Sequence, residues 1–152
     1  MTGHAYGSRP DYLPSFMNDP NDEDGCQVVK LGWTESRELE MVSLNRFPPT
    51  FSAALDWDAS SYDSRLWWDD EDDWGRLAAN LLADHAARSE TIAIFWGNLL
   101  LPTVTLPAEV VVRHSTEILD VGPHFWMYPL GGSVLIECLM DGQVTVASIP
   151  HT

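Results

Sequence analysis

The sequence contains little cysteine, few basic residues and no long apolar run. Its two cysteines, Cys26 and Cys138, can form at most one disulfide, and their spacing matches no metal site, so we expect two buried thiols. The longest apolar stretches, 92–96 and 99–101, are far shorter than the ~20 residues that cross a bilayer. Residues 1–10 lack the apolar core of a signal peptide. These absences predict a cytoplasmic protein that does not insert into membranes.

The scarcity of basic residues gives the chain a strong negative charge. Eight Lys and Arg against 23 Asp and Glu leave a formal net charge of −15 on 152 residues. Such a surface repels phosphate, which argues against binding to nucleic acid or to anionic lipid. It favours a basic protein partner instead. Most of the charge is early in the chain, since residues 1–90 hold 18 of the acids and 7 of the bases.

Length and patterning predict one α+β fold. Residues 1–25, rich in Gly, Pro, Asn and Asp, predict an irregular N-terminal arm, and residues 26–152 predict a single domain. We expect a mostly antiparallel, twisted sheet of about five to seven strands, with one main helix packed on it and a C-terminal β-meander. Strands are predicted at 27–33, 39–44, 91–96, 103–106 (at an edge), 124–128, 134–140 and 143–149, with further candidates at 109–113 and 117–119.

The main helix is predicted at about residues 71–88. The apolar side chains repeat at the spacing of one buried helical face, namely Trp74, Leu77, Ala78, Leu81, Leu82 and His85. Asp69 or Asp70 can cap its first turn, where the helix dipole also favours negative charge.

The meander has a predicted register. Two-residue turns at Gly131-Gly132 and Asp141-Gly142 would join its three strands. Counting from these turns places six residues on the face beneath the helix: Phe125, Met127, Ile136, Cys138, Thr145 and Ala147. The opposite face would be a mixed surface, carrying Trp126, Glu137 and Val146.

No motif in the chain identifies a reaction. The sequence lacks G-x-S-x-G, H-E-x-x-H, C-x-x-C and a phosphate-binding glycine loop. A calcium loop with Gly25 at its sixth position would place Pro20 and Leu31 where oxygen ligands are needed. Glu137 could serve as an acid if a histidine lay beside it, or could pair with Arg113. We expect no enzyme, no cofactor and no metal, and keep a small enzyme using Glu137 with a histidine as an alternative.

The segment before the main helix alternates aromatic and acidic residues. Aromatic side chains dominate the energetics of protein interfaces, while carboxylates steer a basic partner towards them. One of the adjacent tryptophans is expected to face the partner and the other to pack inward. The predicted partner-binding residues are Asp56, Trp57, Asp58, Tyr62, Asp63, Trp67, Trp68, Asp69, Asp70, Glu71, Asp72 and Asp73.

These properties, together with the aromatic strands around 95–98, 124–128 and 136–142, give the chain a general resemblance to one class of proteins. Small, acidic, tryptophan-rich α+β chains without a signal peptide or cofactor motif resemble bacterial immunity proteins, the cytosolic inhibitors of polymorphic or contact-dependent toxins. The resemblance covers about residues 26–149 and carries no shared site. It implies a role in bacterial competition, in which the protein blocks a basic toxin or nuclease domain. An acidic secretion or assembly chaperone is the other alternative.

Overall fold

The computed structural model describes residues 6–47, 62–86, 90–98, 100–121, 124–139 and 141–149. These residues form one seven-stranded antiparallel sheet with four α-helices, which confirms the α+β class, the strand number and the C-terminal meander. The helices are α1 (Trp33–Met41), α2 (Glu71–His85), α3 (Ala108–Arg113) and α4 (Ser115–Val121). The strands are β1 (Val29–Lys30), β2 (Ser64–Trp67), β3 (Thr91–Trp96), β4 (Val104–Pro107), β5 (His124–Pro129), β6 (Val134–Leu139) and β7 (Gln143–Ser148). Their order in the sheet is β1-β4-β3-β5-β6-β7-β2.

The main helix, α2, forms where the apolar periodicity predicts it. It begins after Asp70, whose side chain accepts a hydrogen bond from the backbone N–H of Asp73 at 2.8 Å, so the predicted cap is present. Its buried face consists of Trp74, Ala78, Leu81 and Leu82. His85, predicted to lie on that face, is exposed because it occupies the last position of the helix.

The meander follows the predicted register between β5 and β6 but not between β6 and β7. Met127 pairs with Ile136 as expected, whereas Ile136 pairs with Val146 and not with Ala147. The pair Cys138–Val144 encloses five residues, an odd number that a two-residue turn cannot produce. Gly142, with φ of 98°, takes the left-handed conformation typical of a three-residue loop. The shift by one residue turns Val146 towards the helix and Thr145 and Ala147 away from it.

Several predicted strands are helices. The prediction of strands at 27–33 and 39–44 is wrong apart from the two residues of β1, because 33–41 form α1, which is built mainly from good helix formers. The candidates at 109–113 and 117–119 lie in α3 and α4. Their β-branched residues misled the prediction, since Val110, Val111 and Ile118 are buried against the sheet and tertiary packing overrides propensity.

Both faces of the sheet are covered. The helical face packs α2, α3 and α4 against β3–β7, together with Leu13, Phe16 and Met17 of the N-terminal arm. The second face, predicted to be a mixed surface, is instead a smaller core that contains Phe47, Phe95, Trp126, Tyr128 and Leu135. The sheet edges also differ from the prediction, because β1 pairs with the outer side of β4 and the predicted edge strand at 103–106 therefore lies one position inside.

The described helices include none that is both long and apolar enough to cross a membrane. Both cysteines are free, but only Cys138 is buried, and its burial raises the pKa of that thiol. Cys26, predicted to be buried, is exposed because it lies in a short 3₁₀ helix on the surface of the arm.

Candidate functional site

Strand β2 forms one edge of the sheet and carries the most exposed aromatic residue of the described sheet. Trp67 is 60% exposed, Tyr62 just before the strand is 42% exposed, and Leu66 is 37% exposed. The sequence of the strand alternates between the faces, so Trp67 and Leu66 lie on opposite sides of the sheet. An apolar group of this kind at a sheet edge is a feature of binding surfaces.

Trp68 follows the strand and points inward. It packs on the core of the helical face, with its ring centroid 6.3 Å from that of Trp74. Its indole N–H is buried and has no hydrogen-bond partner among the described residues. The two adjacent tryptophans therefore face opposite ways, and Trp67 is the one that a partner can reach.

Carboxylates flank Trp67 along the chain. Asp69, Asp70, Glu71 and Asp72 are exposed between the end of β2 and the first turn of α2. Asp63, which lies before the strand, accepts a hydrogen bond from Ser148 at 2.7 Å. We refer to Tyr62, Asp63, Leu66, Trp67, Asp69, Asp70, Glu71 and Asp72 as the β2 surface.

Two positively charged side chains near this surface are held by intramolecular contacts. The guanidinium of Arg65 lies 4.2 Å from the centre of the Tyr62 ring, and its Nε donates to Thr145 Oγ1 at 3.1 Å. Arg76 forms an ion pair with Asp73, which leaves that carboxylate less available than the four exposed acids before it. The β2 surface thus keeps a strongly negative character.

The structure brings together the later part of the predicted binding segment. Tyr62, Asp63, Trp67 and Asp69 to Asp73 lie within one stretch of edge strand and helix start, whereas Trp68 belongs to the core. Asp56, Trp57 and Asp58 fall outside the described residues.

Glu137 is buried on the second face of the sheet. Its side chain is 1% exposed, and it accepts a hydrogen bond from Trp126 Nε1 at 2.9 Å, as a buried carboxylate requires. His124 Nε2 lies 3.8 Å from Glu137 Oε2, beyond hydrogen-bonding distance. The alternative that Glu137 pairs with Arg113 is wrong, because Arg113 bonds to Asp24. The low exposure and the hydrogen bond from Trp126 place Glu137 within the core of the second face.

Among the cavities between described residues are two open ones, and neither is lined by Glu137 or His124. One, of about 250 Å³, lies between α2 and α3 and is lined mainly by alanine, leucine and valine. The other, of about 230 Å³, lies at the end of β3 beside Tyr6, Trp96 and Trp126. Within the described ranges no three His, Cys, Asp or Glu side chains could hold a metal ion.

A charged cluster that the sequence did not indicate joins the N-terminal arm to the helices. Asp24 accepts hydrogen bonds from Arg113 at 2.7 and 3.1 Å, and His114 Nε2 lies 2.8 Å from it. His114 Nδ1 lies 2.7 Å from Glu117, and Phe16 stacks on the imidazole at 3.7 Å between centroids. No spacing rule links residues about ninety positions apart, so only the fold could show this cluster.

The cluster shifts the ionisation of both central groups. The hydrogen bond from Arg113, opposed by burial and supported by His114, lowers the pKa of Asp24 to about 2. Burial alone would lower the pKa of His114, but hydrogen bonds to Glu117 and Asp24 outweigh it and raise that pKa. Because carboxylates only accept hydrogen bonds, the protonated imidazole satisfies both of its neighbours. The cluster is an anchor for the arm.

No protein-family model matches the chain, and no curated protein matches it.

Proposed function

We propose that this protein is an immunity-type inhibitor that binds a basic toxin or nuclease domain through the β2 surface. The observation that carries the proposal is Trp67, a large aromatic side chain left 60% exposed at a sheet edge among carboxylates. Burial of such a side chain supplies binding energy, and the surrounding acids supply steering and specificity for positive charge.

The overall charge supports the same proposal. A net charge of −15 accelerates encounter with a basic partner, and steered association reaches about 10⁸–10⁹ M⁻¹s⁻¹ at low salt. Covering a basic active cleft with carboxylates blocks it without any chemistry by the inhibitor. The proposal therefore requires no cofactor and no catalytic group.

The test is protection of growing bacteria. Each basic protein encoded by a neighbouring gene is expressed with and without the parent chain, and growth is recorded. We expect growth arrest with the basic protein alone and rescue by the parent chain. Rescue should fail with Trp67→Ala and persist with Tyr12→Ala, a matched change at an aromatic residue 46% exposed in the N-terminal arm.

Steering is tested separately through charge. Asp70→Asn combined with Asp72→Asn removes two carboxylates, and asparagine caps a helix as well as aspartate does. Its complex should form more slowly and with a weaker dependence on salt, while its dissociation rate stays close to that of the parent. If the association rate of the parent protein did not change with salt concentration, the proposal would be contradicted.

A further inference from the structure

We infer that the basic partner supplies an extended segment that pairs with the outer edge of β2 and continues the sheet as an additional strand. The inference rests on the proposed function, since it specifies how the β2 surface engages its partner. It adds main-chain hydrogen bonds to the side-chain contacts described above, which is a recurrent mode of peptide recognition.

The main chain of β2 presents hydrogen-bonding groups to that edge. The N–H of Trp68 donates to Gly142 at 3.0 Å, on the side of β7. Because main-chain groups of an antiparallel strand alternate in direction, those of Arg65 and Trp67 point away from β7. Within the part of the chain that the structure describes, β7 is the only strand that pairs with β2, so no described strand occupies this outer edge.

Side chains on both sides of the edge suit an added strand. Leu66 lies towards the helical face and Trp67 towards the second face, and both are exposed. A new strand beside β2 would place alternate side chains next to each of them. Both apolar groups would then lose water-exposed area on binding.

The two edges of the sheet differ in how they resist such pairing. β1 at the opposite edge is only two residues long, and a very short edge strand offers little main chain for another strand to pair with. On β2 the one cationic side chain, Arg65, lies over the Tyr62 ring and bonds to Thr145. No projecting lysine protects this edge.

Charge decides which occupant fits. Residues 62–73 contain six acids and one arginine, and one of these acids, Asp73, is paired with Arg76. A second copy of this chain would bring two such acidic edges together and be repelled. A segment with lysine or arginine among aliphatic residues matches both the carboxylates and the exposed apolar groups.

The test compares two variants at one position. Arg65→Ala removes the side chain alone, whereas Arg65→Pro also removes the outward N–H and keeps the extended backbone of an edge strand. Circular dichroism and thermal melts first establish that both variants fold. If the partner segment pairs with β2, Arg65→Pro should bind at least about fivefold more weakly than Arg65→Ala, the effect expected for one lost hydrogen bond.

The probe is a short synthetic peptide of alternating lysine and valine, with a glutamate-for-lysine peptide as control. We expect only the basic peptide to bind, and we expect its saturation to slow hydrogen exchange at the amides of Arg65 and Trp67, observed by NMR. Equal affinity of Arg65→Pro and Arg65→Ala, with both amides unprotected, would overturn strand pairing. Failure of the basic peptide to bind at low salt would overturn it as well.

These outcomes are separate from failure of the proposed function. A parent chain that rescues growth through Trp67 but leaves the amides of β2 unprotected retains the proposed function and loses strand addition. A parent chain that does not rescue growth loses the proposed function, whatever the peptide does.

Discussion

Replacing each of the two adjacent tryptophans by alanine should have opposite consequences. A tryptophan side chain offers about 250 Å² of surface, so Trp67 at 60% exposure leaves about 150 Å² for a partner to cover. At roughly 25 cal/mol per Å² this area corresponds to about 3.7 kcal/mol as an upper bound. After the costs of ordering and desolvation, we expect Trp67→Ala to weaken binding by at least about 2 kcal/mol, or roughly thirtyfold.

Trp68→Ala should instead lower stability. Truncating a large aromatic side chain packed on the core costs about 3–5 kcal/mol, or roughly 6–20 °C in Tm for a chain of this size. Trp68→Phe is the matched control, because it keeps most of the packing and removes a buried N–H that lacks a partner. We expect it to melt close to the parent temperature.

The assay combines thermal melts with binding kinetics on a verified partner. Trp67→Ala should melt within a few degrees of the parent protein and dissociate faster, with little change in association. The reasoning is refuted if Trp67→Ala binds as tightly as the parent, or if Trp68→Ala is as stable as the parent. In either case the exposure of Trp67 would not determine binding, or the burial of Trp68 would not determine stability.

Three further predictions concern the fold. The raised pKa of His114 stabilises the folded state below its ordinary value of 6.5, and this contribution is lost as pH rises through the higher folded pKa. The lowered pKa of Asp24 stabilises above its ordinary 3.8 and is lost as pH falls towards about 2, so the cluster contributes most between about pH 4 and 6.5. Melts from about pH 4 to well above pH 6.5 should show a fall in Tm above pH 6.5 that disappears in His114→Gln; a flat parent profile would contradict the cluster. Gly25→Ala should unfold the arm and lower Tm, because a Cβ there would lie 2.0 Å from a main-chain oxygen; unchanged melting would refute that packing. Trp74→Phe should cost about 1–3 kcal/mol in chemical denaturation because it removes a buried hydrogen bond from the indole N–H to the Ser115 carbonyl and leaves space in the core, and no loss would show that this bond is dispensable.

The sequence predicts elements whose determinants are local. The helix α2 was predictable because its apolar repeat, its Asp70 cap and its acidic first turn agree with one another. The β5–β6 hairpin was predictable because its register depends on the turn between the strands. The β6–β7 register was not, since one additional loop residue reverses every side chain of β7.

Other features depend on contacts between distant residues. Valine-rich 109–113 is helical because packing on the sheet outweighs its strand propensity. Glu137 lies in a core because the second face is covered, which alternation along one strand could not indicate. At the candidate site, composition indicated the acidic and aromatic segment, whereas the outward direction of Trp67 required knowledge of the edge position of β2.

The most direct test of the binding surface is hydrogen exchange by mass spectrometry on the parent chain, alone and in complex with its basic partner. We predict that protection on binding is concentrated in residues 62–73, with little change at the cavity between α2 and α3. Protection confined to that cavity or to the N-terminal arm, with residues 62–73 unchanged, would contradict it.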